Sequence, residues 1–437
     1  MSHTLDVAPR KMRNERGFSV VGAAFFLAFC AFCAPLGAQE TKPAGAAANA
    51  PQDLAVAVRA IHVVEDGEGA GLVLDLSREV TVRTEILNDP PRLVIDLPGA
   101  GFAAGIPLSG NKSIGPVSAW RAGMFMLGQS RLVLDLAQPA MIERTDFVRQ
   151  NGTVRLVMPI RKVAQGRFDE LAAADRKARL AARGADAGPV NPRAANAKPL
   201  IMLDPGHGGI DSGALGAKGE QEKDIVLATA LAVKAALEAD GRIEVAMTRE
   251  GDTFVPLGER VRMARSRGAA LFVSLHADSL RAERDVRGAS IYTLADRASD
   301  SLAAQAAEKE NRADEAAGVD AEDETREGVE DILFDLARRE TRLFSHVVAQ
   351  EAAGAFRKHN RLHKTPMRAA KFRVLKAPDV PSILIELGYL TNSEDIKILG
   401  DTPERAALAK DLAGQLADFL LTKRHAISAG AAATASP

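Results

Sequence analysis

Three apolar runs in this chain end in side chains able to hold a metal ion or carry a proton. "KPLIMLDPGHGG" reaches His207 within a proline- and glycine-rich turn, "LFVSLHAD" reaches His276, and "SILIELGYL" carries Glu386. A fourth residue, Glu222, opens the amphipathic stretch "EKDIVLATALAVKAALEAD" just after that turn. Two neutral imidazoles and a carboxylate suit a divalent zinc ion and leave one coordination position open. A second carboxylate, not bound to the metal, then serves to take a proton from water and give it to a leaving amine. The chemistry these residue types support is hydrolysis of an amide. Glycines around His207 fit that use, because they let the backbone turn sharply and a bulky substrate approach. Each residue alone also has a plainer reading. A strand-end histidine is commonly structural, and Glu222 suits the positive end of a helix dipole. Glu386 resists that treatment, since a carboxylate inside an apolar run is costly to bury without a partner.

The elements that must position these side chains begin at Pro199. "PLIMLD", "IEVAMTRE", "AALFVSLHAD", "GASIYTL", "FRVLKAP" and "PSILIELGYLTN" read as strands. "EKDIVLATALAVKAALEAD", "PLGERVRMARSRG", "LFSHVVAQEAAGAFRKH" and "ERAALAKDLAGQLADFLLTKR" have apolar residues at helical spacing. This alternation predicts an α/β domain over 199–424, with a mostly parallel sheet covered by helices and function at the strands' carboxyl ends. Ahead of it, residues 57–160 hold short period-two runs broken by Gly, Asn, Asp and Pro, which predicts a smaller all-β sandwich. "RLVIDL" (Arg92 to Leu97) and "RLVLDL" (Arg131 to Leu136) nearly repeat, hinting at two related sheet halves. His62 is the sole histidine there and reads as a strand residue. Residues 161–198 read as a linker, with a short polar helix in the first half and an Ala/Pro/Gly-rich second half.

With 57 acidic and 56 basic side chains the net charge is -1, which argues against a nucleic-acid partner. Basic Lys11, Arg13 and Arg16 precede an apolar stretch and then "QETKPAG", the pattern of an export signal cleaved after Ala38. A retained membrane anchor is the competing reading. Residues 39–56 are an Ala/Pro-rich spacer, and 425–437 read as a disordered tail. Both cysteines, Cys30 and Cys33, lie inside the signal, so the exported chain has no thiolate to offer a metal and no disulfide.

"LDPGHGGIDSGALG", "EKDIVLA", "MTREGD", "LGERVRMA", "LFVSLHADS" and "PSILIELGYLTN" resemble the zinc-dependent N-acetylmuramoyl-L-alanine amidases of the AmiC type, in the family's order from Pro199 to about Lys423. The β-rich region resembles the AMIN domain that often precedes this catalytic domain and binds the cell wall, through patterns such as "PRLVIDLPG". The resemblance implies zinc held by His207, Glu222 and His276, and Glu386 as the catalytic glutamate. Glu220 is the alternative to Glu222. It also implies a periplasmic enzyme of cell division acting on peptidoglycan, with no stable membrane anchor after signal cleavage. His346, His359 and His363 match no ligand motif, although His363 could line the substrate cleft.

Between Ala295 and Thr341 lies an Ala/Glu/Asp-rich insertion, 296–340, whose plainer reading is a solvated helical excursion. The resemblance implies a regulatory helix that covers the active site, a glutamate from it approaching the zinc, and an activator protein of the LytM-domain type. Glu310 is the candidate, with Glu308 the alternative. Leu302, Ile332, Leu333 and Leu336 are apolar residues able to pack the insertion or bind the activator. Two other functional readings stand beside the amidase. One is a metal hydrolase acting on another amide or an N-acetyl group, and the other is a catalytically silent wall-binding protein.

Overall fold

Period-two apolar patterning organises the first half of the chain, in a computed structural model that describes residues 56–67, 69–126, 128–150, 152–183, 197–280, 285–320, 332–359 and 361–423. The export signal, the spacer, most of the second half of the 161–198 stretch and the tail fall outside the described residues. Among the described residues, eleven strands build the β-rich domain: β1 (Val56–Asp66), β2 (Gly69–Leu76), β3 (Arg83–Leu87), β4 (Arg92–Pro98), β5 (Ala100–Phe102), β6 (Ser109–Gly110), β7 (Val117–Met124), β8 (Gln129–Leu136), β9 (Ala140–Ile142), β10 (Asp146–Gln150) and β11 (Thr153–Lys162). They form two sheets, ordered β10-β11-β2-β1-β5 (with β9 beside β11) and β3-β4-β8-β7-β6. Leu72, Leu74 and Met158 from the first pack on Leu93, Ile95 and Leu134 from the second, which is the predicted sandwich.

The near-repeat does not divide the domain into halves. Its two copies, β4 and β8, are antiparallel neighbours in one sheet. That pairing sets Arg92 opposite Asp135 and Asp96 opposite Arg131, so reversing the direction of one motif matches each base with an acid. The presumed linker is also part of this domain through its first half. Helix α1 (Gln165–Arg183) buries Phe168 fully in the sandwich core, and the Asp175 carboxylate accepts the Ile86 N–H at 2.8 Å.

The α/β domain contains β12 (Leu200–Pro205), α2 (Glu222–Asp240), β13 (Glu244–Met247), α3 (Leu257–Ser266), β14 (Leu271–His276), β15 (Ala289–Leu294), α4 (Ser301–Asn311), α5 (Ala313–Ala316), α6 (Ile332–Lys358), β16 (Leu362–Ala370), β17 (Ser382–Glu386), α7 (Ser393–Gly400) and α8 (Thr402–Asp418). Its sheet runs β13-β12-β14-β17-β15-β16; β12, β13, β14 and β17 are parallel, and β15 is antiparallel to β17. "FRVLKAP" is not a strand. Arg373–Leu375 forms a 3₁₀ turn, and β16 is the strand that the reading missed. β16 contains Pro366, which has no N–H to donate and is tolerated because the strand lies at the sheet's edge.

Alternation along the strands separates two faces. Ile201, Leu203, Val273, Leu275, Ile383 and Ile385 point toward α2, α6 and α8. Met202, Phe272, Tyr292 and Leu384 point the other way, onto α3 and onto Ala303, Ala306 and Ala307 of α4. Val94, Phe125 and Val133 of the β-rich domain join that second core, so α4, α5 and the residues up to Val319 are packed between the two domains. Phe125 and Phe254 stack at 5.9 Å, and Met126 N–H donates to the Phe254 carbonyl at 2.9 Å. Arg92 and Arg121 donate to the Glu315 and Ala316 carbonyls, and Arg131 to those of Ala317 and Gly318 at 3.2 and 3.1 Å. Three cations therefore donate to carbonyls at and just past the carboxyl end of α5.

Candidate metal centre

β12, β14 and β17 are parallel neighbours, so their carboxyl ends open on one side of the domain and bring His207, His276 and Glu386 together. His276 on β14 pairs directly with Glu386 on β17. Just past β12 the chain turns through His207, whose φ of 58° lies in the left-handed region. A non-glycine residue holds that conformation only where its surroundings over-determine it. Here Arg260 donates to the His207 carbonyl at 2.8 Å, and Gly208 and Asp211 exchange backbone hydrogen bonds at 2.9 and 3.0 Å. The neighbouring glycines make room for protein rather than substrate. A Cβ on Gly206 would lie 2.3 Å from the His276 ring, and one on Gly209 would lie 1.8 Å from the Met124 carbonyl of the β-rich domain.

Four buried side chains converge: His207, Glu222, His276 and Glu310 each offer one donor atom, all within 4.8 Å of one another. Glu222 Oε1 lies 3.0 Å from His207 Nε2 and 3.1 Å from His276 Nδ1; Glu310 Oε2 lies 3.2 and 3.0 Å from the same nitrogens. Such separations are close to the edges, about 3.3 Å, of a tetrahedron of ligands about 2.0 Å from a zinc ion. His207 Nδ1 is 2.8 Å from Asp211, which fixes the tautomer and leaves Nε2 its lone pair. His207 Nε2 and both Glu310 oxygens have no hydrogen-bond partner despite full burial. Bare donors of this kind, in a nest of carboxylates, fit a dication.

The electrostatics agree. Burial opposes charge on both imidazoles but is outweighed: Asp211, Glu222 and Glu310 raise His207 well above its ordinary value, and Glu310 and Glu222 push His276 up to about 10. Conversely, against burial, His207 and Lys309 hold Glu222 far below the carboxylate range, and His276, His207 and Lys309 do so for Glu310. Protons take the cation's place on the imidazoles when no metal is bound.

Glu386 behaves in the opposite sense. Burial first, then Asp278, raises its pKa well above the ordinary value. Its Oε2 accepts the Asp278 N–H at 3.0 Å, while Oε1 has no partner. Without a metal the neutral acid is therefore favoured; a dication at the donor cluster would favour the carboxylate, whose Oε1 could then accept a proton.

Of the sequence candidates, Glu220 turns away, bonding the Lys218 N–H at 2.9 Å, and Glu308 pairs with exposed Arg312 at 2.7 Å. His346 lies on α6, beside Gln350, and His359 pairs with Asp411 at 2.8 Å. His363 lies on β16, its ring edge-on to Tyr389 at 6.4 Å. The side chains of Ile332, Leu333 and Leu336 fall outside the described residues. Missed from sequence were Asp211, Asp278, Lys309 and the Asp204–Arg260 pair. Lys309, next to Glu310, binds Asp278 and lies 3.7 Å from Glu222. Asp204 and Arg260 were visible within "LDPGHGG" and "LGERVRMA", but nothing local marks them as partners.

Residues 201–418 match the N-acetylmuramoyl-L-alanine amidase family and residues 60–156 the AMIN domain. The amidase AmiC of Neisseria meningitidis is 33% identical over 372 residues, covering 80% of this chain and 87% of that one. The AmiC of Escherichia coli is 32% identical over 382 residues, covering 83% and 89%. The amidase AmiA of Salmonella typhimurium reaches 42% over 223 residues, 51% of this chain and 76% of its own. The amidase match with an AMIN match ahead of it, and amidase relatives at 32–33% identity aligned over most of their length, mean that the chain belongs to the N-acetylmuramoyl-L-alanine amidases, with an AMIN domain ahead of the catalytic one.

Proposed function

We propose that this amidase is zinc-dependent, cuts the amide between the lactyl group of N-acetylmuramic acid and the L-alanine of the stem peptide, and is held inactive by its own insertion. The observation that carries this reading is the buried four-donor cluster with Glu386 on the adjacent strand. His207, Glu222 and His276 would hold the ion, and Glu310, whose Oε2 lies 3.2 and 3.0 Å from the two imidazoles, would be a fourth ligand in the resting enzyme. Zinc, when bound, supplies Lewis acidity that polarises the scissile carbonyl and acidifies water. Glu386 Oε1 takes a proton from the attacking water, whose hydroxyl adds to the carbonyl carbon. The same carboxyl then delivers that proton to the departing nitrogen as the C–N bond breaks, so the products are a lactyl carboxylate and a peptide with a free amine. The Asp278 N–H keeps Glu386 oriented for both transfers.

The insertion acts as a plug. α4 delivers Glu310 to the donor cluster, and the β-rich domain's arginines grip the segment that follows. Release by an activator of the LytM-domain type would open the site, which suits a hydrolase of cell separation in the periplasm. No described helix is long and apolar enough to cross a membrane.

The test is digestion of purified peptidoglycan by zinc-loaded full-length protein, Glu310→Gln and a form lacking 301–331, each with and without chelator. Chelator-sensitive release of peptides with free L-alanine amino termini is expected, stronger from both altered proteins. No release from any folded, zinc-loaded form defeats the amidase reading, and equal release from all three defeats the plug.

A further inference from the structure

Glu386 begins a row of polar side chains along the sheet face that α4 covers. Residues paired across neighbouring strands share a face, so Glu386 on β17 stands beside Ser290 on β15, and Tyr292, two residues on, stands beside Arg368 on β16. Two strand spacings sideways and one two-residue step along put Arg368 about 12 Å from Glu386. Arg368 is only 7% exposed, and its ion pair is with Asp300, the residue whose carboxylate caps the N-terminus of α4. Its Nη2 lies 3.3 Å from His363 Nδ1, and its Nε has no partner. α4 therefore occupies a groove with one carboxylate at each end, Asp300 on Arg368 and Glu310 at the donor cluster. Ten residues of helix span about 15 Å, and an extended peptide covers that distance in about four to five residues.

We infer that Arg368 is a specificity-determining residue: when α4 leaves, it binds a carboxylate of the stem peptide about three to five residues from the scissile bond. The inference rests on the amidase reading above. Departure of Asp300 with α4 uncovers the guanidinium and leaves it with no other carboxylate in ion-pair contact among the described residues, so it is free to take an incoming carboxylate. The planar fork of arginine suits a bidentate carboxylate, which an amidated stem does not offer. Asp300 in the closed form thus stands where the acidic peptide's carboxylate binds in the open one, and opening and substrate capture become a single exchange.

The experiment uses zinc-loaded full-length protein and muramyl tetrapeptides in two forms, with free carboxylates and with the same groups as carboxamides. Hydrolysis gives KM and kcat, and calorimetry gives binding of the matching free tetrapeptides. Asp300→Asn is expected to lower KM for the acid form about tenfold more than for the amide form. Arg368→Met is expected to erase the difference between acid and amide, while Arg368→Lys keeps the charge and part of the preference. An acid-to-amide ratio unaltered in Arg368→Met overturns the inference, as does an Asp300→Asn effect equal on both peptides, the mark of a residue that only pegs α4. If no form cleaves either substrate even when Glu310→Gln is added to release the insertion, the amidase reading fails, and the binding ratio still decides the role of Arg368.

Discussion

Behind the turn at His207, Asp204 and Arg260 form an ion pair at 2.8 Å, and Thr248 and Ser274 donate to the same carboxylate at 2.6 and 2.7 Å. Arg260 spends its remaining donors on the Val255, Pro205 and His207 carbonyls, and Arg249 braces Pro205 and Gly206. In front of the same turn, His207 Nε2, Glu310 and Glu386 Oε1 keep bare atoms although they are equally buried. One side is satisfied throughout and the other is left wanting. The difference teaches that buried charge alone does not mark a working site. What marks the front of the turn is buried groups that keep atoms without hydrogen bonds although Glu310 stands within ion-pair distance of His207 and His276, held in place by charge that is fully hydrogen-bonded close by.

The comparison breaks most severely at Glu386. Glu386→Gln is expected to keep zinc, measured by metal analysis, and to lose about a thousandfold or more of hydrolysis, since it cannot take the proton. Behind the turn, Arg260→Met leaves Asp204 buried without its cation. A loss of about 3–5 kcal/mol in urea unfolding is expected; a neutral result would mean that the pair does not brace the turn. Glu310→Gln weakens the insertion's hold on the cluster and is expected to raise basal peptidoglycan hydrolysis about tenfold.

pH sharpens the contrast. His276 without metal titrates at about 10 because Glu310 and Glu222 outweigh burial, so its stabilising charge is complete below about 6.5 and lost as pH rises through about 10. A zinc ion bound there would have to displace that proton. Its apparent affinity is therefore expected to rise with pH up to about 10, by about tenfold per unit for each proton released, as calorimetry in buffers of different ionisation enthalpy would read. The smallest expected effect is at the domain contact. Arg121→Ala removes the donor to the Ala316 carbonyl and only a partly exposed pair with Asp135, and should raise basal hydrolysis about two- to threefold by loosening the plug.

Much of this arrangement was legible in the chain itself. Apolar strands that end in His207, His276 and Glu386 advertise a site, because alternation and strand ends are local properties and a carboxylate in an apolar run is conspicuous. β16 was not legible, since Pro366 breaks the local strand signal and only an edge position excuses it. "FRVLKAP" misled for the converse reason: its apolar residues are buried by neighbours, not by strand pairing. The sequence by itself determined the residue types available to a metal, the helices and most of the strands, and the sandwich patterning ahead of them. Tertiary structure alone decided that Asp204 would meet Arg260, that the two "RLV" motifs would pair with each other, that Arg368 would bind Asp300, and that arginines of the β-rich domain would seize the insertion. Each of those contacts joins residues far apart in the chain, and neither partner's neighbours carry a period that points to the other; only the packing of sheets and helices brings such charges within reach.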